Sequence, residues 1–331
     1  MTSSFKFISC EISEKNAWNN ALSGIDVSVY FTWEYLSILQ LNYSSRIYLL
    51  KIYNDQGGLI TFFTKRTKDQ KSFDIYSPYA MDGVHIWGTS DKVIAEFINY
   101  LAKDNIATYY LANHPGYKFI QNDNFTSYRS LYTLNLTLDS LLLWNNLDPN
   151  HRYEINKFSK QQHQIVTDKL LIKEPFLNLY HETFERVKAN NSYNFSNEFL
   201  SELIDSDITY ACGAFINGNI ECVIILLIKN NWAEYYINAS SLAGRNATRA
   251  LIWNAILHLK ENGIRLLNLG GGIIENDSLD QFKKKFGGEK KKMNLFRGIA
   301  SPDGFNRLCK EYNVSVESTN YFPPYWANNS K

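Results

Sequence analysis

Between Thr209 and Gly298 the chain lays out strand, strand, strand, helix and strand, and then turns on Gly270-Gly271-Gly272. Thr209 to Ile216 is rich in β-formers, and Asn217-Gly218 is a strong tight-hairpin signal. Asn219 to Ile228 ends in the apolar run Val223-Ile224-Ile225-Leu226-Leu227-Ile228. A second turn at Lys229-Asn230-Asn231 leads into Trp232 to Ala239, whose Trp, Tyr, Tyr and Ile suit a third antiparallel strand. Leu251, Ile252, Ala255, Ile256 and Leu259 then recur at helical spacing, Gly263 stops that helix, and Ile264 to Leu269 is a short apolar strand. Few folds accept this order. It predicts an α/β (α+β) domain, a mixed and mostly antiparallel sheet flanked by helices.

The first half repeats the series. Arg46 to Tyr53 and Leu59 to Arg66 flank a hairpin turn at residues 54–58, and Phe73 to Tyr76 and Val84 to Trp87 lie on either side of residues 77–83. Asp91 to Lys103 has helical spacing through Val93, Ile94, Phe97, Ile98 and Leu101, and Ile106 to Leu111 is a strand. At 331 residues the chain exceeds one small core, so the repeat predicts two tandem domains. The first covers 1–139, rejoined by the tail 313–331, and the second covers 140–312. The tail qualifies because Tyr321-Phe322-Pro323-Pro324-Tyr325-Trp326 is too apolar to hang free. Between the two series, Ser140 to Lys160 and Pro175 to Ala189 have helical patterns, with Pro175 expected at a helix start.

Composition narrows the function classes. A net charge of +1 argues against whole-surface attraction to nucleic acid, so DNA is not expected as a partner, although local basic patches stay open. Cys10, Cys212, Cys222 and Cys309 form no CxxC pair and suggest buried reduced thiols. The six histidines show no HExxH spacing, so no metal site is expected, and there is no GxSxG. The N-terminus lacks a signal-peptide pattern, and the longest apolar runs fall far short of the roughly 20 residues that span a bilayer. The expected setting is cytoplasmic, with peripheral membrane contact left open.

Several segments of the second half together resemble the FemABX branch of the GNAT-like acyltransferases. They are Trp144 with the following Arg152-Tyr153-Glu154-Ile155-Asn156-Lys157, then Tyr235-Tyr236-Ile237-Asn238-Ala239-Ser240, and the helix from Thr248. The Leu269-Gly270-Gly271 turn and Phe282-Lys283-Lys284-Lys285-Phe286-Gly287 complete the set. The last is the most diagnostic, a Phe-Lys pair followed closely by Phe-Gly. Residues 1–139 match mainly by architecture, through Ser77-Pro78-Tyr79 and Asp82-Gly83. The resemblance implies two GNAT-type domains and transfer of an acyl group or amino acid to a cell-envelope precursor. Two departures stand out. Members that use aminoacyl-tRNA often carry a long coiled-coil arm, and no charged heptad run occurs here. The carrier-binding signature Arg/Gln-x-x-Gly-x-Gly/Ala is present as Arg245-Asn246-Ala247-Thr248-Arg249-Ala250, with Thr248 where the middle glycine belongs.

Acyl transfer to an amine needs a polarised carbonyl, a deprotonated nucleophile, and both at near-attack distance. In the GNAT arrangement the edge of the third strand stabilises the carbonyl oxygen, which singles out Tyr236 and Ile237, although Tyr235 and Tyr236 serve equally as strand aromatics. Arg245, Asn246, Ala247, Thr248 and Arg249 would turn into the helix and bind a carrier phosphate, or cap the helix in the ordinary way. Lys283 is the main catalytic candidate, beside Phe282 at the carrier end, where a cation would hold phosphate or oppose oxyanion charge. Lys284, Lys285, Lys290, Lys291 and Lys292 add a basic stretch that a solvated surface or a tRNA acceptor end would equally explain. Arg152 and Lys157 are expected near the acceptor, with Tyr79 and Asp82 on the opposite wall. Asp82, His85, Glu275 and Asp277 are the proton-acceptor candidates. The triple glycine fails the GxGxxG test, since Glu275 stands where a glycine is needed and no helix is evident after it; it is expected to give the acyl group room.

The expectation is therefore an N-acyltransferase with no permanently bound cofactor. It would take acyl-CoA as co-substrate in preference to aminoacyl-tRNA. The acceptor would be an amino sugar or peptide amine on an envelope or surface-polysaccharide precursor. A binding module that has lost transfer is the alternative.

Overall fold

The computed structural model describes residues 4–329 except 80, 89, 118, 119, 162, 319 and 320. The chain opens with β1 (Lys6–Glu11), α1 (Lys15–Leu22), α2 (Trp33–Gln40), β2 (Ile47–Asn54), β3 (Gly57–Thr67), β4 (Phe73–Tyr76) and β5 (Val84–Gly88). It continues through α3 (Ser90–Lys103), β6 (Ile106–Asn113), β7 (Phe125–Asn135), α4 (Ser140–Asn146), α5 (Pro149–Lys160), β8 (Gln164–Val166), α6 (Lys169–Val187) and α7 (Asn197–Asp205). Then follow β9 (Thr209–Ile216), β10 (Asn219–Lys229), β11 (Trp232–Ser240), α8 (Thr248–Glu261), β12 (Leu266–Gly270), α9 (Ser278–Lys284), β13 (Glu289–Ile299) and α10 (Pro302–Glu311). Two compact units result, one of Met1–Tyr128 with Met293–Lys331 and one of Arg129–Lys292.

In the first unit β1, β2, β3 and β4 form an antiparallel series, β6 joins β4 in parallel after the α3 crossover, and β13 closes on β6 antiparallel. A right-handed crossover helix is the ordinary way to bring a parallel strand home. Val93, Phe97 and Leu101 of α3 are fully or almost fully buried against Leu50, Phe63 and Leu111. The tail belongs here. Tyr325 is buried with Phe305 and Leu308 of α10, and its hydroxyl donates to Asp74 Oδ1 at 2.7 Å while Trp326 Nε1 donates to Oδ2 at 2.7 Å.

The second unit has the same plan. β8, β9, β10 and β11 are antiparallel in turn, β12 joins β11 in parallel after α8, and β7 closes on β12 antiparallel. Its core gathers Cys212, Ile224, Leu226, Tyr235, Leu267 and Leu269 from the sheet under Leu251, Ala255 and Leu259 of α8. The hairpin turn is as the sequence dictates, with Asn217 at φ 49° and Gly218 at φ 93°.

Three readings change. The units divide at 128/129 and 292/293, not at 139/140 and 312/313. The strand that completes each sheet comes from the other half of the sequence, β7 for the second unit and β13 for the first. Pro175 lies well inside α6, because Asp168 already caps the helix by accepting from Leu170 N at 2.9 Å and Ile172 is buried. A helix does follow the triple glycine: Asp277 caps α9 by accepting from Asp280 N at 2.7 Å.

Candidate functional site

The second unit is built around a fork. β11 and β12 pair only through Trp232–Glu234 and Leu266–Asn268. Asn268 Nδ2 donates to Glu234 Oε2 at 2.8 Å, and Asn268 Oδ1 accepts from Gly270 N at 2.8 Å, so buried side chains fasten the last rung. Beyond it β11 runs on to Ser240 with no partner in β12, while β12 carries an irregularity against β7 between Asn268 and Gly270. On its other side β11 bulges against β10: Tyr235 faces Leu226 and Ile237 faces Ile225, which leaves Tyr236 without a rung. Bulges of this kind re-aim the chain and recur beside active sites. Tyr236, one of the expected site residues, is therefore the extra residue of the bulge, and Ile237, another, lies past the end of the β12 ladder while still facing Ile225 of β10.

Lys283 reaches into the opening. Its Nζ donates to the carbonyl of Gly271, just past β12, at 2.9 Å and lies 5.8 Å from the ring centroid of Tyr235, the first β11 residue past the last rung. The side chain is only 7% exposed. Burial, helped by the charge of Arg129, brings its pKa down to about 7, against the opposite pull of Asp277 and Asp280. Near neutrality Lys283 is thus divided between amine and ammonium, which suits proton transfer better than a fixed charge.

The Phe-Lys…Phe-Gly spacing has a structural cause. Phe282 and Phe286 meet edge to face at 5.4 Å, Phe286 is buried, and Gly287 has φ 76°. A Cβ on Gly287 would stand 2.4 Å from the Asn146 carbonyl, so only glycine ends the segment here. The triple glycine has a different job from the one expected. A Cβ on Gly271 would lie 2.0 Å from the Ser130 carbonyl, and one on Gly272 would lie 2.3 Å from Asp277 Oδ1. The protein's own chain fills the space that was to be left for the acyl group.

Arg245 to Ala247 form a 3-10 turn into α8, and no side chain caps the helix. Arg245 and Asn246 are exposed. Thr248, at the signature's middle glycine, is buried and turned inward, with its hydroxyl 3.3 Å from Asn238 Oδ1 and 3.4 Å from Cys222 Sγ. The side chain is therefore held inside the unit and almost wholly out of solvent. Arg249 lies over Phe282, 5.4 Å from the ring centroid, and its buried Nε has no hydrogen-bond partner. His151 was not among the expected site residues. It is buried on α5, with Nε2 3.1 Å from the Phe282 carbonyl and Nδ1 unpartnered. Burial and the charge of Arg249 lower its pKa to about 4, so the ring is neutral and donates through Nε2. Its signal was available only as a histidine one residue before Arg152.

The other expected residues are placed as follows. Arg152 Nη1 donates to the Asn145 carbonyl at 3.0 Å, and Lys157 is exposed on α5, which packs against α8. Asp277 is occupied as a cap, its Oδ2 accepting from Ile273 N and Ile274 N at 2.8 and 3.0 Å, and exposed Glu275 pairs with Lys290. Tyr79 and Asp82 belong to the first unit. The backbone of Tyr79 is held by the hydroxyls of Tyr43 and Tyr35. Asp82 is fully buried and accepts from Ser28 Oγ, Tyr117 Oη and Gly83 N at 2.7, 2.7 and 2.8 Å; burial raises its pKa to about 6. His85, in the same unit, is lowered by burial to about 4. Among the described residues no group of three His, Cys, Asp or Glu is placed to hold a metal ion.

No protein-family model and no curated protein matches the sequence. Solved structures do match. FemX is 11% identical with a TM-score of 0.61, over 88% of this chain and 97% of its own. The structure of L-PGS from Bacillus licheniformis is 13% identical at TM-score 0.54, over 85% of this chain and 90% of its own. A conserved protein of unknown function from Bacteroides thetaiotaomicron is 11% identical at TM-score 0.57, over 89% and 100%. At these identities the likeness establishes the fold, and that fold is FemABX/GNAT-like.

Proposed function

We propose that this chain is an N-acyltransferase whose second unit presents an activated acyl group in the fork between β11 and β12. The observation that carries this reading is Lys283, buried and aimed at the carbonyl that follows β12, beside the stretch of β11 that has no partner in β12. The carrier's phosphates would lie on the uncapped start of α8, with Arg245 and Arg249 supplying charge. The attacking amine adds to the acyl carbonyl carbon, the edge of β11 stabilises the oxygen, and neutral Lys283 takes the nitrogen's proton and returns it to the departing thiolate. Amide and free thiol are the products.

The inward turn of Thr248 favours acyl-CoA as donor, since it leaves the outer face of the α8 turn clear. The acceptor class is an amino sugar or peptide amine on an envelope or polysaccharide precursor, with Arg152 and Lys157 of α5 as its candidate contacts. We place the reaction in the cytoplasm, where acyl-CoA is supplied. Calorimetric titration with CoA, acetyl-CoA and a charged tRNA mixture, followed by thiol release with amino-sugar nucleotides, tests the reading. Stabilisation by tRNA alone would give the donor to aminoacyl-tRNA, and binding of no donor would favour a module without transfer. Arg245→Ala should weaken donor binding more than acceptor binding, and Lys283→Ala should abolish transfer while leaving CoA binding within a few fold.

A further inference from the structure

α9 carries Lys283 into the fork, and at seven residues it is too short to hold its own shape in isolation. Its start is fastened by the Asp277 cap and by Asp280, whose Oδ2 accepts from Tyr132 Oη at 3.2 Å and from Asn276 N at 3.1 Å. Its end tightens instead of running on. Lys285 N donates to the Gln281 carbonyl at 3.3 Å, Phe286 N to that of Lys283 at 3.1 Å and Gly287 N to that of Lys284 at 3.0 Å. In a regular helix Phe286 N would serve Phe282, so the tightening turns that donor away from the carbonyl next to Lys283. His151 Nε2 serves that carbonyl at 3.1 Å, from outside the helix.

The same ring packs on both aromatic residues that bracket the lysine. Its centroid lies 5.2 Å from that of Phe282 and 4.6 Å from that of Phe286, edge to face with the latter. The cap residue of α5, Asp148, donates through its backbone N to the Lys285 carbonyl at 2.9 Å, so α5 grips the end of α9 at two carbonyls. A phenyl ring would offer comparable packing, yet the fold holds a histidine whose Nδ1 is sealed from water without a partner. What histidine adds is the Nε2–H. We propose that His151 is a positioning residue for the transfer: its Nε2–H fixes the Phe282 carbonyl, and through it the direction in which Lys283 enters the fork. The proposal rests on the reading of Lys283 as the proton carrier of acyl transfer.

His151→Phe keeps a ring and removes the N–H, and His151→Gln returns an N–H near the Nε2 position. In the thiol-release assay His151→Phe should lower kcat by about tenfold or more with the donor KM within about twofold, and His151→Gln should recover most of the loss. A second readout needs no transfer. The stability of each variant against its own Lys283→Met partner, followed by urea unfolding across pH, reports the titration of Lys283 alone. Arg129, Asp277 and Asp280, which also bear on that lysine, are the same in every arm. His151→Phe should raise the lysine's pKa from about 7 by about 1 or more towards 10.5, whereas a purely structural loss is flat with pH and cancels. NMR of the wild-type imidazole, which needs no variant to fold, should show a neutral ring with Nε2 protonated and Nδ1 bare. A ring protonated at Nδ1 instead, an unmoved Lys283 titration in His151→Phe, or His151→Gln no better than His151→Phe would overturn the proposal. No transfer from any donor, with the Lys283 titration still following His151, would sink the acyl-transfer reading and leave the link between the two residues standing.

Discussion

Lys283 makes a quantitative commitment about stability. Its pKa falls from 10.5 to about 7 in the folded protein, chiefly through burial. Between those values the unfolded chain binds a proton that the native state does not, so stability rises with pH at about 1.4 kcal/mol per unit. The contribution is fully present above 10.5 and is lost as pH falls through 7. Lys283→Met keeps the length and apolar stem but cannot titrate, so the wild-type minus variant difference isolates this one group. The methionine also leaves the Gly271 carbonyl without its donor, but that cost is constant with pH. Urea unfolding at pH 7, 8 and 9 should show the variant losing ground to wild type by roughly 2 kcal/mol across the range. A difference flat with pH would mean that the amine is solvated, and the claim of a neutral proton carrier in the fork would fall with it.

Asp82 has the opposite sign. Burial raises it from 3.8 to about 6, so its contribution is full below 3.8 and lost as pH rises through 6; wild type should lose roughly 2 kcal/mol against Asp82→Asn between pH 4 and 7, read by urea unfolding. Tyr325→Phe removes one of the donors on Asp74 and should cost about 1.5 kcal/mol in thermal or urea unfolding, while Trp326 keeps the tail in place. Gly271→Ala drives a Cβ against a backbone carbonyl 2.0 Å away and should cost about 3 kcal/mol, with loss of CoA binding as β12 shifts.

The elements were legible because periodicity and turn chemistry are local. The Asn217-Gly218 hairpin, the α8 stripe and the α3 stripe sit within a residue or so of where the pattern puts them. The domain edges were not legible, since which sheet β7 and β13 complete is decided by pairing partners more than a hundred residues away. Lys283 could be picked out by its motif, yet its neutrality could not, because burial by α9 packing has no sequence signature. His151 was missed for the same reason: a histidine becomes notable only when its Nδ1 is sealed without a partner and its Nε2 supports the residue before Lys283. The glycine turn misled because a glycine that admits a ligand and one that admits the protein's own backbone look alike in sequence.

The duplication explains why a donor site is assigned to the second unit and not to the first. In the first unit β4 is four residues long, and every one of them pairs with β6. The chain then stays on β6, Ser77 N donating to the Tyr110 carbonyl at 3.1 Å and Ala112 N to Ser77 Oγ at 3.0 Å. Gly83 presses so closely on Ser77 that an added Cβ would stand 1.8 Å from Oγ. The notch that this fold offers at its parallel pair is thus stitched shut by Ser77. In the second unit the parallel pairing stops after three rungs while β11 continues for six residues. One plan therefore yields a closed sheet or an open fork, according to whether the first strand of the parallel pair ends with its partner or outruns it. The buried lysine occurs where it outruns it.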